Sequence, residues 1–191
     1  ASVAGADLVR ADIDLMERAA TEIFEWMVAK TDPEKEIKIF CGMGNNGGDG
    51  FVLARMLAYA GFKTEVILVR HSEKMSPSCL SNYEKILKIT SVNLTEIKKG
   101  DTLPDLSGEA ILVDAIFGSG LTKPVTGFVG QVIDHINNSK SVVISVDVPS
   151  GFFCDTTNTI NKGSIVKADY TLTFQFPKYG FLFGENDQYV G

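Results

Sequence analysis

The chain has 191 residues, 45% of them hydrophobic and 22% charged, with a net charge of −6. That length buries one sizeable core and gives no reason for a division, so residues 1–191 read as a single domain. The acidic balance argues against a nucleic-acid partner, which needs a basic face, but leaves room for a small phosphorylated ligand held by backbone amides. Cys41, Cys79 and Cys154 are odd in number and far apart. They suggest neither a disulfide framework nor a zinc site, and a reducing cytoplasmic setting is the default. No signal peptide and no apolar run of bilayer-spanning length is present, so no membrane partner is expected. A start at Ala1 without methionine, and a stop in a strand-like stretch, are compatible with a piece of a longer chain.

The first dozen residues carry little pattern. From Ile13 to Val28 the apolar positions Ile13, Met16, Ala19 or Ala20, Ile23, Phe24 and Met27 recur at helical spacing, with Trp26 flanking the stripe as a packing residue. Asp32-Pro33 ends that helix. Ile37 to Cys41 is an apolar run of strand length, Phe51 to Ala60 is helix-like, and Gly61 stands where a left-handed C-terminal cap belongs. A second strand spans Thr64–Val69. Ser76 before Pro77 signals the start of a third helix, whose buried face is expected at Leu80, Tyr83, Ile86 and Leu87. Asn93 to Ile97 is a short strand candidate and Lys98 to Gly108 a loop. Helical spacing returns at Phe128 to Ile136, with Val129, Val132, Ile133 and Ile136 on one face. Ala168 to Phe174 alternates like a strand, and the stretch from Phe176 to Phe181 leads towards another at the sheet edge.

Three stretches carry chemistry. The first is Gly42 to Gly50, five glycines in nine positions between a strand and a helix. This arrangement presents backbone N–H groups to a phosphate, and glycine permits positive φ angles and the close approach of a ligand. Gly42, Gly44 and Gly47 satisfy G-x-G-x-x-G. Yet the second strand ends in Arg70 and His71, with no carboxylate for a ribose. A P-loop fails because no Gly-Lys-Ser/Thr follows. A bare turn would not need so many glycines. Taken whole, GNNGGDG adds two amides and a carboxylate (Asn45, Asn46, Asp49) that an ordinary phosphate turn does not require.

The second stretch, Ala110 to Pro124, is an apolar run cut by Asp114 and followed by Gly118-Ser119-Gly120. The third, Val142 to Gly151, repeats the design with Asp147 at the strand end and then Pro149-Ser150-Gly151. In parallel sheets, ligands gather at C-terminal strand ends. His71 and His135 are isolated and read as surface residues, and no G-x-S-x-G elbow or Ser-His-Asp order supports acyl transfer. If the three strand ends converge, Asn45, Asn46, Asp49, Asp114, Asp147 and Ser150 form a site of oxygen donors. Such donors suit an alkali or alkaline-earth ion beside an anionic ligand, with a carboxylate free for proton transfer. Spacing alone does not identify the substrate.

Asp14-Leu15-Met16-Glu17-Arg18-Ala19, Gly42 to Gly50, Val113-Asp114-Ala115-Ile116-Phe117-Gly118 with Gly120-Leu121, and Asp147-Val148-Pro149-Ser150-Gly151 together resemble the NAD(P)H-hydrate epimerase family, the YjeF N-terminal domain. They span nearly the whole chain in the family's order. Met43 stands where many members have proline, and Ser119 and Val148 are mild replacements. The chain start also lacks part of the family's usual N-terminal segment. The resemblance implies an α/β fold of three α/β/α layers around a Rossmann-like, mostly parallel sheet. It further implies epimerisation of the damaged cofactor hydrates NADHX and NADPHX, and a bound potassium ion. By position, Asn45, Asn46, Gly47, Gly48, Asp49, Gly118, Ser119, Gly120, Leu121, Thr122, Lys123 and Pro124 would line the substrate site. Asn46, Asp114 and Ser150 would bind potassium, and Asp147 would contact the substrate. A homodimer is compatible with the family, as is fusion to, or action beside, an ATP- or ADP-dependent NAD(P)HX dehydratase.

The hydrate is a hemiaminal: its hydroxyl sits on the ring carbon beside the ring nitrogen. The nitrogen lone pair can expel that hydroxyl as water, and re-addition to the other face inverts the centre. One carboxyl, Asp147, could serve as acid and then base. Two other readings compete. A non-catalytic nucleotide-binding or scaffold domain would need none of the glycines, Asp114, Asp147 or Ser150. A nicotinamide oxidoreductase lacks the ribose carboxylate and a hydride partner.

Overall fold

The computed structural model describes residues 3–191, with side chains from residue 9 onward. Residues 1 and 2, included in the single-domain reading, lie outside the described residues. The order is α1 (Val3–Lys30), β1 (Ile37–Cys41), α2 (Asn45–Tyr59), β2 (Thr64–Val69), α3 (Pro77–Ile86), β3 (Asn93–Ile97), β4 (Ile111–Ala115), α4 (Gly127–Asn137), β5 (Val143–Val146), β6 (Tyr170–Leu172) and α5 (Asp187–Val190). The six strands form one sheet in the order β3-β2-β1-β4-β5-β6, every pair parallel. This is the doubly wound order in which the chain runs outward from β1 in one direction and then from β4 in the other.

The central strands β1, β2, β4 and β5 are largely apolar on both faces because both faces are covered. In β1, Ile37, Ile39 and Cys41 pack under α1, α2 and α3, while Phe40 packs on the opposite face with Ile67, Leu112 and the α4 residues Val129, Val132, Ile133 and Ile136. Each of these α4 side chains contributes about 1.5–3 kcal/mol by leaving water. On the first face, Met16, Ala20, Ile23 and Met27 of α1 are buried at the expected spacing. Trp26 flanks them and packs on Tyr170 with ring centroids 5.1 Å apart. Helix α1 begins well before Ile13, where polar residues interrupt its stripe.

Several boundaries differ from the sequence reading. Helix α2 starts at Asn45, so Asn45 to Gly50 of the glycine string is helix and not a loop. None of Gly42 to Gly50 has positive φ. The glycines instead let the helix lie against the sheet: a Cβ on Gly47 would sit 2.0 Å from the Gly42 carbonyl oxygen, and one on Gly42 2.0 Å from that of Ile116. Gly47→Ala is therefore expected to destabilise the fold by about 3 kcal/mol or more, read as a lowered denaturation midpoint. Helix α3 starts where Ser76 and Pro77 predict, but its buried face is Ser78, Cys79, Asn82 and Ile86. Leu80 and Leu87 are exposed and Tyr83 is half-buried. The inward face meets α1 through a polar side chain, as the Asn82 amide lies 3.4 Å from the Met16 sulfur, and so escapes a hydrophobic pattern. Strand β6 keeps only Tyr170–Leu172 of the expected run. Beyond it the chain folds into 3-10 turns, including Tyr179–Leu182, and adds no further strand among the described residues.

Candidate active site

Strands β1 and β4 are neighbours whose connections leave in opposite directions, which opens a crevice at their C-terminal ends. A cavity of about 410 Å³ lies there, lined by Gly44, Asn45, Asn46, Asp49, Ile116, Phe117, Gly118, Ser119, Gly120, Leu121 and Asp147. A second chamber of about 230 Å³ adjoins it, adding Asp12, Leu15 and Met16 of α1 with Phe174, Gln175 and Lys178. Asn45, Asp49, Ser119 and Asp147 line both chambers.

The start of α2 forms one wall. Gly44, extended at φ −95°, caps it without a side-chain bond, and the first helical bond inward runs from Gly48 N–H to the Gly44 carbonyl. The N–H groups before Gly48 are left facing the cavity end of the helix, where they suit an anion. Asn45 Oδ1 accepts from Ser76 Oγ at 2.7 Å, which ties this wall to α3. Gly47 and Gly48 face the protein interior, against Gly42 and against Met16 and Cys79, and lie outside the cavity lining. Thr122, Lys123 and Pro124 are exposed and also lie outside it.

Asp114 belongs to β4 rather than to the loop after it. It is 1% exposed and accepts four hydrogen bonds: from Ile116 N at 3.2 Å, Ser145 Oγ at 2.9 Å, Ser150 N at 2.7 Å and Ser150 Oγ at 2.5 Å. Burial pushes its pKa up, against these donors, which pull it down. Ser150 Oγ in turn accepts from Phe117 N at 2.8 Å. Asp114 thus fastens the turn after β5 to the loop after β4, the two segments that form the cavity floor.

Asp147 follows β5 with φ 65°, a left-handed conformation that costs about 1–3 kcal/mol in a residue with a side chain. Val148 N–H bonds back to the Val146 carbonyl at 2.9 Å, so Asp147 is the apex of a three-residue turn that aims its carboxylate into the crevice. That carboxylate accepts from Ser119 N at 3.3 Å, Phe174 N at 3.4 Å and Thr173 Oγ1 at 3.4 Å, and pairs with Lys178 Nζ at 3.0 Å. Asp49, 9% exposed, has no hydrogen-bond or ion-pair partner among the described residues. Burial, and then the negative charge of Asp147, push its pKa up to about 8.

The sequence reading missed Lys178, Gln175 and the α1 wall. The only mark on the first two is a turn-like composition, while Asp12 stands in the pattern-poor start of the chain and Leu15 in the family motif of the first helix, with no place in the site assigned to either. His71 is exposed, as expected, and accepts from Met43 N at 3.4 Å at the rim. Among the described residues, no three His, Cys, Asp or Glu side chains gather as a soft-metal site would require. No helix there is long and apolar enough to cross a membrane.

A doubly wound parallel sheet with a helix N-terminus and two carboxylates at its switch point defines an α/β protein with a site for a nucleotide-like ligand. The YjeF-related protein N-terminus family matches residues 12–180, and the chain belongs to it. It is 39% identical over 170 residues to the bifunctional NAD(P)H-hydrate repair enzyme Nnr of Thermofilum pendens, covering 88% of this chain and 32% of that protein. It is 35% identical over 178 residues to the NAD(P)H-hydrate epimerase of Lentilactobacillus buchneri, covering 93% of this chain and 79% of that one. The crystal structure of yeast ynu0 has a TM-score of 0.74 and 25% identity, covering 88% of this chain and 72% of that chain. The chain thus spans about a third of the Thermofilum protein and most of the Lentilactobacillus one.

Proposed function

We propose that this chain epimerises the S and R forms of hydrated NADH and NADPH, as the names of its relatives suggest. The observation that carries the reading is the crevice itself. Unpaired N–H groups at the start of α2 suit the cofactor's pyrophosphate, and carboxylates Asp49 and Asp147 lie where the two chambers meet. The α2 amides and the Gly118–Leu121 loop hold the anionic half, and the reacting ring lies against Asp147. There carboxyl groups can protonate the departing hydroxyl and take a proton from the returning water. A scaffold of the same fold would not need a strained Asp147 beside a lysine. A mixture of the two epimers, with a dehydratase added to consume the S form, tests this. The protein should speed loss of the R form well beyond the spontaneous rate, and an R form that persists beside folded protein would contradict the reading.

The residues present also fit potassium. Asn46 is more than nine-tenths buried and its amide nitrogen has no partner, so one end of that amide is open to a ligand. Asn46, Asp114 and Ser150 offer only oxygen atoms, apart from that amide nitrogen, as an alkali ion prefers. The acceptor positions of Asp114 are already used by four donors, so it would contribute its charge and hold Ser150 Oγ in place. When bound, the ion supplies fixed positive charge beside the anionic ligand. Potassium in place of a bulky organic cation should raise the melting temperature by a few degrees through binding to the folded state alone. Asn46→Ala should abolish that shift, and a shift retained in this variant would place the ion elsewhere.

The dehydratase relationship rests on the bifunctional relatives, of which this chain spans about a third. Action beside a dehydratase, ATP- or ADP-dependent as the family resemblance implies, fits the chemistry, since an epimerase supplies whichever epimer a stereospecific dehydratase consumes. A homodimer is compatible with this reading.

A further inference from the structure

Two carboxyl groups, not one, face the point where the chambers meet, and their surroundings are opposite. Asp147 receives three hydrogen-bond donors and a lysine. Asp49, on the second turn of α2, receives none among the described residues, although it is 9% exposed and lines both chambers. A carboxyl buried without donors keeps its proton. A reaction that both expels and adds water requires an acid beside a base.

Resting on the epimerase reading above, we propose that Asp49 is a second catalytic carboxyl, the acid that protonates the leaving ring hydroxyl, while Asp147 takes the proton of the returning water. Lys178 is the positioning residue that keeps Asp147 aimed. The ring formed on loss of water is planar at the reacting carbon, and inversion requires departure from one face and return to the other. A single carboxyl reaches one face; two, from α2 and from the end of β5, can serve both.

The steps balance. The Asp49 proton moves to the hydroxyl oxygen, the carbon–oxygen bond breaks, water leaves, and the nitrogen lone pair forms a C=N bond. Water then adds to the opposite face, the π pair returns to nitrogen, and Asp147 accepts the surplus proton. One proton has passed from Asp49 to Asp147, which arms the site for the reverse direction, and exchange through solvent resets it. The cationic ring lies beside Asp49 as it ionises, which makes that ionisation easier.

The charged and titratable groups around Asp49 are Asp147, Lys178, Asp12 on α1, Cys41 on β1 and Cys79 on α3. Both thiols are pushed up by burial, Cys79 to about 12, and stay neutral. Lys178 is engaged by Asp147 at 3.0 Å and by the Phe174 carbonyl at 3.1 Å. With no cation assigned to it, Asp49 stays protonated up to about pH 8. A carboxyl raised in the folded state binds more protons than the unfolded chain between about pH 4 and pH 8. Its contribution to stability is therefore greatest below that window and is lost as pH rises through it.

The test uses Asp49→Asn and Asp49→Ala in the chain as it stands. From pH 5 to pH 8 the wild type should lose about 5 °C or more of melting temperature relative to Asp49→Asn, which lacks the titration. Asp49→Asn should lower epimerase kcat at pH 7 by about 100-fold or more. Wild-type activity should fall as pH rises beyond about 8. Formate should restore part of the rate in Asp49→Ala, an effect that a structural role would not produce. A wild type that epimerises while Asp49→Asn keeps its rate, or an Asp49→Ala that formate does not rescue, overturns the assignment and leaves the epimerase reading standing. A wild type without epimerase activity overturns that reading, and this assignment with it.

Discussion

Asp147→Asn is expected to lower kcat/KM for epimerisation by about 10²–10⁴-fold while leaving the fold intact. The substitution removes the proton-accepting charge and little else. Asparagine tolerates the left-handed conformation at φ 65° almost as well as aspartate, so the turn between Val146 and Val148 survives. An alanine at this position would add about 1–2 kcal/mol of backbone strain and confuse the two effects. Lys178, left 3.0 Å from a neutral amide, would turn to solvent or to the Phe174 carbonyl. An Asn variant that melts near the wild-type temperature and keeps most of its activity would remove Asp147 from the chemistry.

Asp114→Ala should act in the opposite way, on the framework first. Removing this carboxylate strands Ile116 N–H, Ser145 Oγ, Ser150 N–H and Ser150 Oγ in a region that excludes water. Each buried donor left unpaired costs about 1–3 kcal/mol, so a loss of roughly 4 kcal/mol is expected even after some rearrangement. Denaturant titration of the variant should show it. The potassium-dependent rise in melting temperature should vanish as well, since Ser150 Oγ is no longer held. A variant of near wild-type stability would mean that the two loops are fastened by something else. The pair of substitutions separates two aspartates that hydrophobic pattern alone places alike, each at the end of an apolar run: one holds the loops together and the other faces the ligand.

That separation marks where the sequence stops being legible. The strands β1 and β2 fall where their apolar runs place them, because a buried parallel strand is a short continuous apolar segment bounded by turn residues. The caps of α2 and α3 follow from Gly61 and Ser76. The convergence of Asn45, Asn46, Asp49 and Asp147 follows from the rule that ligands gather at C-terminal strand ends. What pattern does not show is direction and partnership. Asp114 and Asp147 both follow apolar runs, yet one lies within its strand, facing Ser145, and the other turns through a left-handed residue into the crevice. The glycine string looks like a loop because glycine is rare in helices. Here the absence of a Cβ is needed for helix–strand contact, a reason visible only in three dimensions. Lys178 lies in a turn with no periodicity, and only the folded chain brings it beside Asp147.

The most direct measurement supplies the protein with each purified epimer of NADPHX separately, without any dehydratase, in potassium buffer, and follows both forms by chromatography. A catalyst must carry either starting epimer to the same final ratio, because it changes the rates and not the equilibrium. The structure and its relatives predict that convergence, far faster than in buffer alone and lost in Asp147→Asn. Two epimers that each stay unchanged in the presence of folded protein would contradict the account and leave the crevice a binding site without chemistry.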